Sequence, residues 1–201
     1  NEFIPIAEET GLISQIDYWV IEEELSLFSR DHRLRDDPDV RIAVNISGRT
    51  LERMDFMSRL VVALNKYGIP AERLVVEITE SCLLGDNRAI LWTLKQLRER
   101  GAAIAIDDFG TGYSSLSYLQ SFKVDVLKID QSFISRISDE DGGDMMVANI
   151  VRLAHDLGLH VIAEGVEDAD QAQVLRELNC DLAQGWLFGR PTAPQIEPVD
   201  S

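Results

Sequence analysis

Short apolar, β-rich runs alternate with amphipathic helical stretches along nearly the whole chain, and this alternation restricts the fold more than any single motif. The runs fall at residues 41–46, 74–78, 102–106, 124–129, 160–163 and 180–183. Around and between them, apolar residues spaced by three and four predict helices over 3–29, 54–67, 86–100, 144–157 and 168–178. Asp86 and Asp168 are predicted N-caps, and Gly68, Gly101 and Gly158 stand just past a last helical turn, where a left-handed residue is wanted. Strand–helix alternation is the signature of right-handed βαβ units and a parallel sheet. It suits a (β/α) barrel or a doubly wound sheet. The run from Ala102 to Ile106 has no polar alternation, which predicts a strand buried on both faces.

With 201 residues, 45% of them apolar, the chain can bury one sizeable core. No apolar run approaches the roughly 18 residues that cross a bilayer, so a soluble protein is expected. The first residue is Asn1, and the opening Asn1-Glu2-Phe3-Ile4-Pro5 reads as a helix entry without targeting features, so a piece of a longer protein is expected. Residues 191–201, with three prolines, read as a tail or linker after a domain spanning 1–190. Cys82 and Cys180 lack CxxC spacing, which argues against a disulfide framework or zinc site and fits a reducing cytoplasm. The net charge of −16 repels polyanions and argues against general nucleic-acid binding. His32, His155 and His160 are scattered and read as structural, Trp19 and Trp92 as packing residues, and Gly142-Gly143-Asp144 as a loop and helix cap.

Each β-rich run ends in polar groups: Asn45; Glu77 and Glu80; Asp107 and Asp108; Lys128 and Asp130; Glu164 and Glu167; Gln184. In a barrel the carboxyl ends of the strands converge on one mouth, so these residues would meet there. Asp107 and Asp108 repel each other and are costly to desolvate, which implies a compensating cation. The collected set is carboxylate- and amide-rich, with one lysine and no sulfur or imidazole. Such donors suit Mg²⁺ or Mn²⁺, and a cluster this acidic could hold two ions. Two such ions are the standard device for in-line displacement at a phosphodiester.

The run Asp107-Asp108-Phe109-Gly110-Thr111-Gly112-Tyr113-Ser114-Ser115-Leu116 resembles the EAL-domain cyclic di-GMP phosphodiesterases of bacteria, as do Lys128-Ile129-Asp130, Ala163-Glu164-Gly165-Val166-Glu167 and Gln184-Gly185-Trp186. The resemblance extends from Phe3-Ile4-Pro5 to Phe188 and Pro191. It implies a modified TIM-type (β/α)₈ barrel, with about six of the eight strands covered here. The reaction it implies is metal-dependent hydrolysis of cyclic di-GMP to linear pGpG. Carried over residue by residue, it makes Asn45, Glu77, Asp107 and Asp108 metal ligands for two Mg²⁺ or Mn²⁺ ions. Lys128 would hold the attacking water, Glu164 would act as base or water-orienting group, and Asp107 completes the catalytic set. Gln184, Glu167 and Asp130 would shape the water and substrate environment, with Trp186 bordering the guanine pocket. Glu80 would tether the loop containing Phe109, Gly110, Thr111 and Gly112, and the region from Asp107 to Ser115 would help form a homodimer.

The resemblance also implies that the Glu-Ala-Leu segment and a substrate-contacting arginine lie upstream of Asn1. Fusion to sensory or cyclase domains, and a membrane anchor outside these residues, are further implications. The reading from a different class is an EAL-like domain that binds cyclic di-GMP, or another protein, without hydrolysing the nucleotide.

Overall fold

The structure, a computed structural model, describes residues 3–83, 87–110, 123–137 and 143–192. Among these, six strands form one sheet in the order β1-β2-β3-β4-β5-β6. They are β1 (Ile42–Asn45), β2 (Leu74–Thr79), β3 (Ala103–Phe109), β4 (Val126–Ile129), β5 (His160–Ala163) and β6 (Leu182–Ala183). The pairs β1–β2, β3–β4, β4–β5 and β5–β6 are parallel. A doubly wound sheet reverses its strand order at a switch point, whereas here the order follows the sequence without reversal, so barrel-type winding is the one adopted.

The helices among the described residues are α1 (Ile4–Thr10), α2 (Ile13–Arg30), α3 (His32–Arg35), α4 (Gly48–Leu51), α5 (Phe56–Tyr67), α6 (Arg88–Glu99), α7 (Gln131–Ile134), α8 (Gly143–Asp156) and α9 (Ala169–Glu177). The helix expected over 3–29 is two helices, because Gly11 takes a left-handed φ of 77° and ends the first. Asn87 caps α6 through bonds from the Ala89 and Ile90 amides, in place of the expected Asp86, which lies outside the described residues. Asp168 caps α9 in a reciprocal box with Gln171, which satisfies two otherwise orphaned amides. Gly68, Gly101 and Gly158 all have positive φ, as their positions after helices predict. Gly143 opens α8; Gly142 lies outside the described residues.

Chain contacts divide the molecule into two compact units, one from residues 1–78 and 86–104 with 193–201, the other from 79–85 and 105–192. In the first, α2 packs against α5 and β1, and Leu25, Leu51, Phe56 and Leu74 are fully buried. Trp19 and Trp92, expected to pack inside, are instead 64% and 55% exposed. The three-and-four spacing marks an apolar stripe, but both rings extend past its edge toward solvent. In the second unit Ile106, Leu127, Ile129, Ile134, Val147 and Val161 form the centre. Ala103 to Ile106 is buried without interruption, as a strand covered on both faces requires.

Candidate metal centre and substrate cleft

In the first unit the paired ends of β1 and β2 bring Asn45 opposite Glu77. The Asn45 amide Nδ2 donates to Glu77 Oε2 at 3.1 Å, and the Ile46 amide donates to the Glu77 carbonyl at 2.9 Å. Glu77 is only 7% exposed.

In the second unit β3 continues through the two aspartates that were expected to follow it. Adjacent residues of a regular strand point to opposite faces. Here the pairing of β3 with β4 slips between Ile106 and Phe109, and Asp108 takes a left-handed φ of 54°. This local irregularity in the pairing interrupts the regular alternation. Oxygens of Asp107, Asp108 and Glu164 thereby lie within 4.8 Å of one another.

Lys128, on β4 and 4% exposed, reaches the same cluster. Its Nζ lies 2.9 Å from Asp107 Oδ1 and 2.7 Å from Glu164 Oε1. Gln184 also serves Glu164, its Nε2 donating to Oε1 at 2.6 Å, and its backbone amide is held by the Ala163 carbonyl. Asp130 caps α7, accepting from the Ser132 amide at 2.9 Å. Burial raises the Asp108 carboxyl above its usual range, and the charges of Asp107 and Asp130 push it further, against the pull of Lys128. A cation would relieve this crowding. Three hard carboxylates gathered this closely fit a divalent ion that prefers oxygen.

The cluster opens on a cleft of about 790 Å³ in the same unit. Asp108, Asp130, Glu164, Glu167 and Gln184 line its acidic side. Trp186, Phe188 and Arg190 line it as well, with the Arg190 guanidinium 4.7 Å from the Trp186 ring centre. Arg190 was not singled out in the sequence, where an arginine between glycine and proline resembles any loop cation. Only its place over an aromatic face in the cleft marks it.

Beside the cluster, Glu80 Oε2 accepts from the Gly110 amide at 3.3 Å, and its buried Oε1 has no hydrogen-bond partner among the described residues. Phe109 is buried. Thr111 and Gly112, with the rest of the expected loop through Ser115, lie outside the described residues. Two of the histidines are less scattered than expected, because the end of α8 and the start of β5 bring them to one acid just before β6. His155 Nε2 lies 3.0 Å from Asp181 Oδ2, and His160 Nδ1 lies 3.9 Å from Asp181 Oδ1.

The chain can be compared as a whole with known proteins. The sequence profile of the EAL domain matches residues 1–191, and the chain belongs to that family. It is 40% identical over 194 residues to the bifunctional diguanylate cyclase/cyclic di-GMP phosphodiesterase MucR of Pseudomonas aeruginosa, covering 95% of this chain and 28% of that protein. The chain spans about a quarter of the length of the curated relatives it matches. Among solved structures, the PaMucR phosphodiesterase in complex with c-di-GMP superposes with a TM-score of 0.87 at 39% identity, over 94% of this chain and 76% of that one. A manganese and c-di-GMP complex of Klebsiella pneumoniae BlrP1 gives 0.76 at 32% identity, over 87% and 45%. The fold is accordingly that of EAL domains, a TIM-type barrel fold.

Proposed function

We propose that this chain is a cyclic di-GMP phosphodiesterase domain whose product is linear pGpG. The observation that carries the reading is the gathering of Asp107, Asp108 and Glu164 around the buried Lys128, in a chain of the EAL family. The known complexes of its relatives with this nucleotide, one of them with manganese, support it.

In this reading Asp107 and Asp108 would hold hard divalent ions, Mg²⁺ or Mn²⁺, and the family resemblance makes Asn45 and Glu77 ligands as well. Two such ions supply charge neutralisation at phosphorus and ease deprotonation of water. Glu164 accepts a proton from the attacking water. Its orientation for that task comes from Lys128 and Gln184, both bonded to Oε1. Water oxygen bonds to phosphorus, the bridging ester bond breaks, and the departing oxygen takes a proton. Lys128 remains cationic and offsets charge accumulating on the phosphate. Glu167 and Asp130 flank the cleft, and Trp186 with Arg190 offers a face on which a guanine can stack. Glu80 tethers the loop that begins at Phe109 and Gly110, and the region from Asp107 onward contributes to a homodimer.

The test is incubation of the protein with cyclic di-GMP and Mg²⁺ or Mn²⁺, followed by chromatography of the nucleotides. Conversion to pGpG, abolished by chelation and by Asp107→Asn, is expected, with Glu164→Gln lowering turnover far more than affinity. Undiminished turnover in Asp107→Asn would remove that residue from the centre. Tight binding of nucleotide without turnover at saturating ion would make the chain a receptor instead.

A further inference from the structure

Away from the cleft, the first unit holds a buried carboxylate that the proposed reaction does not use. Asp17, on α2, is 6% exposed, and one of its oxygens receives three hydrogen bonds. Oδ2 accepts from the Ser47 amide at 3.0 Å, from Ser47 Oγ at 2.6 Å and from Thr50 Oγ1 at 2.6 Å. Thr50 is fully buried and reaches Ser14 Oγ at 3.0 Å, so the group is tied to α2 at two points one turn apart. Ser47 in turn caps α4, accepting from the Thr50 amide.

Burying a carboxylate is costly, and the Ser47 hydroxyl caps the four-residue helix without one. What the charge adds is strength: hydrogen bonds to an ionised acceptor are shorter and about twice as strong as neutral ones. All three donors belong to positions 47–50, the segment that leaves β1 immediately after Asn45 and Ile46. On the other side, the Ile46 backbone amide donates to the Glu77 carbonyl and the Asn45 side-chain amide to the Glu77 carboxylate. The exit of β1 is thus clamped from both flanks, by β2 before residue 47 and by Asp17 from residue 47 onward.

We infer that Asp17 is a positioning residue, which through Ser47 and Thr50 sets the direction of the Asn45 side chain and keeps it paired with Glu77. The inference rests on the phosphodiesterase reading only for its consequence at the ions. Groups that orient ligands from behind typically change metal affinity or activity by about 10–100-fold when removed. Asp17→Asn keeps the shape of the side chain but replaces its charge, and the lower end of that range is expected.

Three measurements on the full chain test it. In metal-free, nucleotide-free protein, Asp17→Asn should move the Asn45 side-chain amide resonances and quicken their exchange with solvent. Mn²⁺ affinity, measured by calorimetry without nucleotide, should fall about tenfold. For hydrolysis, kcat should fall with little change in KM. A variant that lowers the melting temperature but leaves the Asn45 resonances and Mn²⁺ affinity unchanged would reduce Asp17 to a helix-capping role and overturn the inference. If Asp17→Asn does not fold, Thr50→Val, which removes one donor, should shift the same resonances in the same direction, and unshifted resonances overturn it equally. Wild-type protein that neither binds Mn²⁺ nor hydrolyses cyclic di-GMP defeats the phosphodiesterase reading, while the Asn45 resonances still decide the positioning role.

Discussion

Replacing Lys128 by methionine is the sharpest perturbation the cluster offers, because methionine keeps the apolar stem and removes only the charge. Lys128 has 5% side-chain exposure, and the two acids it pairs with among the described residues, Asp107 and Glu164, have 14% and 17%. At separations of 2.9 and 2.7 Å, and an effective dielectric of 20, each pair carries roughly 6 kcal/mol of gross attraction. Most of that is offset by desolvation of the three charges. Removing one partner from a buried pair nonetheless costs about 3–5 kcal/mol, since the other charge stays buried. The residual exposure of both carboxylates points to the lower end, near 3 kcal/mol, or somewhat over 100-fold in the folding constant. Urea unfolding of metal-free protein near pH 7 reads this directly. The double variant Lys128→Met/Glu164→Gln should recover at least about 1 kcal/mol, because it removes one of the stranded charges. A loss below about 1 kcal/mol, or strict additivity of the two substitutions, would refute the view that Lys128 is held by both acids.

Gly185→Ala should destabilise the fold by more than about 2 kcal/mol in the same assay, since a Cβ there would meet the Val166 carbonyl oxygen at 2.2 Å and its amide nitrogen at 2.3 Å. Burial pushes the Asp181 carboxyl up, but the His155 ring and the Val161 amide outweigh that and leave it below its usual value. Its folded pKa is depressed, so its contribution is present above the unfolded value of about 3.8 and is lost as pH falls through the folded value. Carboxyl NMR titration should show His155→Phe moving Asp181 upward and weakening that acid dependence. Burial raises the Cys180 thiol to about 11, so in a Cys82→Ser variant labelling by a thiol reagent at pH 8 should be slow until the protein is unfolded.

The winding of the fold was legible because it depends on local regularities. Strand runs, helix periods and glycines at helix ends are written in consecutive residues, and Asp168 with Gln171 spells out its own cap. The gathering of Asp107, Asp108 and Glu164 could be anticipated for a similar reason: each acid follows directly on a strand run written in consecutive residues. Less could be read where the answer depends on residues distant in sequence. Whether the apolar stripe at Trp19 and Trp92 ends at solvent or under a neighbour is decided by what packs on it. Likewise, Asp181 meets His160 because β5 and β6 start side by side, and His155 because the end of α8 reaches the same acid.

The amino-acid order alone therefore determined that strands and helices alternate and that acids cluster where strands end. Tertiary structure decided how those acids face one another. Two neighbouring aspartates on a regular strand should diverge, but the pairing of β3 with β4 slips between Ile106 and Phe109, Asp108 takes a left-handed φ, and both acids lie by Glu164. It likewise decided that Asp17, an unremarkable helix residue in the sequence, lies beneath the exit of β1. Both outcomes come from long-range pairing, which fixes directions that no local propensity encodes.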